Sequence, residues 1–345
     1  MAGYGYRKYR GRSPKWRILL AVVLVLVIAA SAVVLGLQRF VVYDETGTPH
    51  FLLPQSSESA QAEHESTPPA NLVIQTPEEE APPAADVVTV TWLAPGVVDT
   101  AEEADTVLAA VSGGCTGAAL TVKDESGKVF FPSQTSPWAV NTEAVREAVA
   151  AVLDGTDHTA ARIVCFADPK AANSDVEGLG LKNTGGYIFY DGNNRQWLDP
   201  AKAGARAYLC GLAAECAQLG FDEIILSQVG YPTEGKLHKI AYGETPQDEN
   251  LGVFLEEMAA ALEPYDVTLT VEMTAEGILG GTEAGGLTLE TAVKHAGRIC
   301  AMAEGGEIAV LARAVEDMGE EAEFVPILTH RPEDYAGSAI LIPEQ

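Results

Sequence analysis

The feature that most limits how this chain can fold is an alternation, from Val87 to Gln345, of short β-branched runs with segments apolar at helical spacing. Val87 to Leu93 (VVTVTWL) alternates as a strand does, and similar runs follow at Gly117 to Val122, Ala160 to Phe166 and Ile224 to Leu226. Four more lie at Val267 to Met273, Arg298 to Met302, Phe324 to Leu328 and Ser338 to Ile342. Between them Thr100 to Glu103 offers a capping box ahead of Val107, Leu108 and Val111. Helices are predicted over Glu143 to Leu153, Ala201 to Leu219 and Leu251 to Leu262, where Leu209, Leu212, Cys216 and Leu219 share one face. Eight strands with helical crossovers in about 250 residues predict an α/β fold of the (β/α)8 TIM-like barrel type, because doubly wound sheets usually hold fewer strands. Too few residues follow the eighth strand for a full helix, so the outer ring is expected to be incomplete.

The first 86 residues are unlike the rest. Residues 1–17 carry Arg7, Lys8, Arg10, Arg12, Lys15 and Arg17 and no acid. Residues 18–37 are then twenty without a charge, a length that crosses a bilayer core of roughly 30 Å as a helix. A signal peptide has a shorter apolar region, and the cleavage-like Ala30-Ser31-Ala32 sits inside this run rather than after it. The expectation is a single-pass membrane helix with a basic cytoplasmic tail and everything beyond Leu37 outside the cell membrane. Residues 38–86 hold seven prolines among Ser, Glu, Ala and Gln, which predicts a disordered linker reaching on the order of 40 Å. The globular domain is expected at 87–345.

Charge narrows the choice of partner. Setting aside the six basic residues of the tail leaves 16 basic against 49 acidic side chains. Nucleic acid and other polyanions are bound through basic patches, so the charge argues against them as direct ligands and favours a neutral or cationic partner. The acids also serve simply as a solvated face. Five cysteines, each in an apolar context, read as buried thiols rather than as a disulfide framework.

The βα loops of a barrel build its functional mouth at the C-terminal strand ends. The segment GFDEIILSQVGYP (Gly220 to Pro232) therefore places Ser227, Gln228 and Tyr231 beside a pocket. Acids at or near other strand ends are Asp124, Asp168 and Glu272, with Lys123 beside the first and Asp199 on the loop before the fourth-strand helix. Asp168-Pro169 and Asp199-Pro200 also suit turns, since Asp bonds the backbone that follows it and Pro fixes φ. Lys123-Asp124 equally suits a buried ion pair. Glu272 is the most telling of the set, because an acid within the apolar VTLTVEM needs a partner or a pocket. Trp197, Tyr187, Phe189 and Tyr190 are rings suited to stacking on sugar faces, or to core packing. Gly277 to Gly286 reads as a mobile loop.

No cofactor is expected. Gly230 to Lys236 fits GxxxxGK, yet Leu237 stands where a metal-binding hydroxyl belongs and Pro232 removes a cradle N–H, so the match is read as chance. The histidines are scattered, with only His330 at a strand end, so no metal site is expected. No GxSxG elbow occurs.

Three blocks, ALTVKDESG (Ala119 to Gly127), ARIVCFADP (Ala161 to Pro169) and WLDPAKAGARAYLCGLAAECAQLGFDEI (Trp197 to Ile224), carry a resemblance. In order and separation they resemble the glycoside hydrolase-like barrels of bacteria, a family long grouped as a domain of unknown function. The resemblance covers roughly residues 87–275 and implies a carbohydrate-active enzyme. That family typically continues the fourth strand with an acid, an aromatic and, two positions later, an arginine; this chain has Ser227, Gln228 and Gly230. Glycoside hydrolysis usually needs two carboxyl groups flanking the bond, about 5 Å apart or about 6.5–9.5 Å apart. The remaining candidates for that pair are Glu272 with Asp124 or Asp168, and Ser227, Gln228, Tyr231, Trp197, Lys123 and Asp199 are candidates for substrate binding. The resemblance thus implies a membrane-anchored, extracytoplasmic domain acting on cell-wall or environmental polysaccharide. The alternatives are a barrel that binds glycan without cleaving it and a scaffolding protein of the cell envelope.

Overall fold

The structure, a computed structural model, describes residues 41–43, 49–51, 87–93, 101–111, 115–319 and 321–343. The chain divides into two compact units, Met1–Glu80 and Ala81–Gln345. In the first, Val41–Tyr43 pairs antiparallel with Pro49–Phe51, Val41 opposite Phe51. The β-branched and aromatic Val41-Val42-Tyr43 favours such extended pairing. The basic tail, the apolar run at 18–37 and most of the linker lie outside the described residues. Among the described residues no helix is long and apolar enough to cross a membrane.

The second unit is a closed ring of eight parallel strands: β1 (Thr89–Leu93), β2 (Gly117–Lys123), β3 (His158–Val164), β4 (Glu223–Ser227), β5 (Thr268–Glu272), β6 (Arg298–Met302), β7 (Glu323–Leu328) and β8 (Ala339–Leu341). They run in chain order, and β8 pairs with both β7 and β1. The helices are α1 (Ala101–Val111), α2 (Glu143–Gly155), the short α3 (Pro169–Ser174), α4 (Ala203–Leu219), α5 (Gln247–Leu262), α6 (Ala275–Gly280), α7 (Leu289–His295) and α8 (Glu307–Met318).

Local sequence explains where these elements start and stop. The Thr142 hydroxyl accepts from Val145 N at 3.2 Å to begin α2, whose Val145, Ala148, Val149 and Val152 then face the sheet. Helix α4 ends on Gly220 at φ 106°, a left-handed cap that costs glycine no Cβ clash. The segment read as a mobile loop at Gly277 to Gly286 is in part α6. The Thr274 hydroxyl caps it by accepting from Gly277 N, while both Glu283 oxygens accept from Thr274, so side chains on each side of the turn hold it.

No helix lies between β7 and β8, or after β8 as far as residue 343. Arg331 spans the first of these gaps. Its guanidinium donates to the carbonyls of Tyr335 at 3.2 Å and Gly337 at 3.0 Å and to the Thr89 hydroxyl on β1.

Alternation along each strand makes two cores. In β4, Ile224 and Leu226 join the large layer between sheet and helices, while Ile225 meets Val90, Ala119, Ala160, Cys300 and Val325 inside the ring. This inner cluster is small, and a polar network adjoins it through Glu223, the first residue of β4. The Glu223 carboxylate accepts from Arg298 at 3.3 Å and from the Thr270 hydroxyl, and lies 2.9 Å from His158 Nε2. Arg298 also donates to Glu323 at 2.9 Å. Burial alone raises the Glu223 carboxyl, but the bond from His158, the charge of Arg298 and the bond from Thr270 outweigh it and bring it below the ordinary carboxylate value. Four of the five cysteines, Cys165, Cys210, Cys216 and Cys300, are buried free thiols, and Cys115 is half-buried.

Because its folded value is depressed, Glu223 contributes stability that is complete above the unfolded value near 4.5 and is lost as pH falls through the folded value. Glu223→Gln should therefore cost about 3 kcal/mol at pH 7, leaving Arg298 short of a counter-charge. Urea unfolding of both proteins at pH 7 and pH 3 checks this, the gap between them narrowing at the lower pH.

Candidate functional site

The ends of β3, β4 and β5 converge on a cleft of about 310 Å3. At its base Arg162, the fifth residue of β3, donates from Nε to Glu272 Oε2 at 2.8 Å and from Nη2 to Glu272 Oε1 at 3.3 Å. The same Nη2 reaches Ser227 Oγ at 2.6 Å. Its guanidinium lies 4.3 Å from the ring centroid of Trp92, near the end of β1. One cation thus gathers a carboxylate, a hydroxyl and an indole from three strands, and its fixed fork geometry sets their spacing.

Three loops form two walls. After β4, Gln228 adopts φ 50°, a left-handed conformation that costs a non-glycine residue about 1 kcal/mol. That turn carries the chain past Val229 to Gly230 and Tyr231, and Tyr231 N donates to Gly285 O at 2.9 Å. A Cβ on Gly230 would stand 3.0 Å from that carbonyl oxygen, so the loops after β4 and β5 touch backbone to backbone only because glycine is there. The second wall comes from the long loop after β3. There Asp191 closes a turn, its Oδ1 accepting from the amides of Asn193 and Arg195 at 2.8 Å and 2.9 Å, and its Oδ2 from the Trp197 indole at 2.9 Å. Burial raises the Asp191 carboxyl, but these bonds and the Arg195 charge prevail and hold it below the usual carboxylate range.

The structure brings some of the sequence-predicted residues to this cleft and others elsewhere. Glu272, Ser227, Gln228, Tyr231 and Trp197 line it. Trp197 and Tyr231 are nonetheless buried, Tyr231 with its hydroxyl on Asn250 Nδ2 at 3.1 Å and its ring edge-on to Tyr242. Asp124, Asp168, Lys123 and Asp199 are not among the lining residues. Asp124 Oδ1 accepts from Ser126 N, Ser126 Oγ and Lys128 N, which fixes the turn after β2. Asp168 caps α3 through Ala171 N at 2.8 Å and pairs with Lys123 at 3.2 Å, both side chains wholly inaccessible. Lys123 also donates to Val164 O at 2.6 Å. The buried pair weighed for Lys123-Asp124 therefore forms with Asp168 instead, because Asp124 turns back on its own loop. Asp199 accepts from Ala201 N at 3.0 Å, and burial raises its carboxyl above the ordinary value.

Sequence reasoning missed Arg162, Trp92, Asp191, Glu234 and Glu283. The signal for Arg162 was present: a cation inside AARIVCF needs a counter-charge as much as Glu272 does. Glu283 and Glu234 line the cleft from loops that show no periodicity, so only the fold reveals them. The GxxxxGK glycines pack against other loops, Gly230 on Gly285 and Gly235 on Gly192. Among the described residues no group of three or more His, Cys, Asp or Glu is placed to hold a metal ion.

A family model described as "Putative glycosyl hydrolase domain" matches residues 98–303, more than half of the chain. The chain belongs to this glycosyl hydrolase-like family. No curated protein matches its sequence. Among solved structures it is similar to the PgaB (BpsB) glycoside hydrolase domain of Bordetella bronchiseptica, at 12% identity and TM-score 0.50, over 70% of this chain and 84% of that one. At that identity the likeness is one of fold. A hypothetical protein of Ruminiclostridium thermocellum ATCC 27405 is 25% identical over 53% of this chain and 96% of its own, with TM-score 0.46. The GH20 β-N-acetylhexosaminidase of Streptomyces coelicolor A3(2) is 12% identical, at TM-score 0.46, over 74% of this chain and 52% of that one. For this member of the glycosyl hydrolase-like family, the end of the fourth strand is a buried serine held by an arginine.

The contacts of Asp168 and Asp124 separate two scales of loss. Asp168→Asn strands a buried lysine and should destabilise by about 3–5 kcal/mol, whereas Asp124→Asn, which retains an acceptor oxygen, should cost about 1 kcal/mol or less. Chemical denaturation of the two variants checks the ranking.

Proposed function

We propose that this protein is a membrane-anchored, extracytoplasmic carbohydrate-active barrel whose cleft holds a neutral polysaccharide of the cell wall or surroundings, and that binding rather than cleavage is its main task. One observation carries the choice: both oxygens of Glu272 and the hydroxyl of Ser227 are engaged by Arg162. Acid and base or nucleophile roles are usually filled by two carboxyl groups facing the scissile bond. Here the strand-four position offers a hydroxyl in place of a second carboxyl group, and Glu272 is tied through both oxygens to Arg162. Asp191, its carboxyl below the usual range, is poorly suited to give a proton.

Family membership supports carbohydrate as the ligand class, and the mixture of ring, hydroxyl, amide and charged groups in the cleft suits the many hydroxyls of a sugar chain. The uncharged run at 18–37 after a basic tail supports the anchor and its orientation. Hydrolysis is the second reading, favoured by the further carboxylates Glu234 and Glu283 along the same cleft.

The full chain in detergent should be retained on at least one of peptidoglycan, chitin, cellulose and xylan while releasing no reducing ends. Failure to bind any of them overturns the proposal. Release of reducing ends that Glu272→Gln abolishes selects hydrolysis instead.

A further inference from the structure

Resting on that reading, we infer that Tyr187 and Tyr190 form a second sugar-binding platform outside the cleft, so that the ligand is a polymer longer than the cleft itself. Both tyrosines are unusually open, at 76% and 50% exposure. They belong to a small hairpin in the long loop after β3, where Lys182 bridges Ile188. Between them Phe189 is buried and Ile188 packs against the core, so the two residues that separate the tyrosines anchor the hairpin.

The hairpin is fixed rather than loose. Thr184 N donates to Lys239 O at 2.8 Å, Ala241 N to Lys182 O at 2.9 Å and Asn183 N to Tyr187 O at 2.7 Å. Asn183 Oδ1 accepts from Gly185 N at 2.8 Å, tightening the tip. The backbone that carries the rings is therefore ordered before a ligand arrives, and each tyrosine has only two side-chain torsions left to settle.

Continuity with the cleft locates the occupant. Tyr190 immediately precedes Asp191, which lines the cleft and holds Trp197 and Arg195. The chemistry of the patch favours sugar over protein. The exposed aliphatic side chains of the domain, among them Leu219, Val253, Leu279, Met302 and Val310, lie on other elements, and none belongs to this hairpin. Flat rings among Asn, Thr and Gly offer stacking for C–H faces and hydrogen bonds for hydroxyls, without the aliphatic surface found at the centre of a protein interface.

Oligomers of two and six β-1,4-linked glucose or N-acetylglucosamine units, titrated into the full chain with protein fluorescence as readout, test the inference. The wild type should bind a hexamer more tightly than its dimer. Tyr187→Ala and Tyr190→Ala should each weaken hexamer binding about two- to tenfold and leave dimer binding unchanged. Hexamer affinity equal to wild type in both variants overturns the platform and leaves the cleft reading standing. No binding of any oligomer by the wild type overturns both.

Discussion

A guanidinium cannot sit inside an eight-stranded barrel without compensation, and the arrangement of the mouth follows from how Arg162 is compensated. Glu272 supplies the charge, Ser227 a further acceptor and Trp92 a π-face. Each comes from a different strand, so the strand ends are held in one relative register by side chains as well as by the ladder. The same logic recurs inside the ring, where Glu223 is compensated by His158, Arg298 and Thr270. Between the two networks lies only a small cluster that includes Val90, Ala119, Ala160, Ile225 and Cys300. The interior of this barrel is organised by ion pairs, and its greasy bulk lies outside, under the helices.

That division explains what was legible in the sequence. The eight strands and the major helices were readable because alternation and helical spacing report burial against the outer layer, as at Val145, Ala148, Val149 and Val152. Glu272 was readable for the opposite reason, as a charge in an apolar strand. Arg162 carries the same signal, but their pairing was not readable, since nothing local says that β3 and β5 present Arg162 and Glu272 to one another. Asp168 illustrates the converse. An acid at a strand end resembles a catalytic group, yet the chain folds a lysine from β2 against it. The loops fared worst. Gly277 to Gly286 looked unstructured because its stability comes from Glu283 reaching back to Thr274, a contact between short polar residues with no periodic signature.

The serine at the end of β4 takes its meaning from these contacts. A carboxylate there would compete with Glu272 for the same guanidinium, and the single cation would then divide its donors between two anions. With a hydroxyl in place, Glu272 keeps the Nε of Arg162 and shares its Nη2 with the serine. The mouth is electrostatically quiet at its base, and its further acids, Glu234 and Glu283, come from the loop walls.

The ring closes through β8, whose three residues pair with β1 on one side and β7 on the other. Without a helix behind it, this seam is clasped by Arg331. A cylinder joined in this way has a preferred place to come apart. With three paired residues and one arginine in place of a packed helix, this seam is where local opening is expected to begin, and because Trp92 of β1 borders both the seam and Arg162, loosening there would be felt at the mouth.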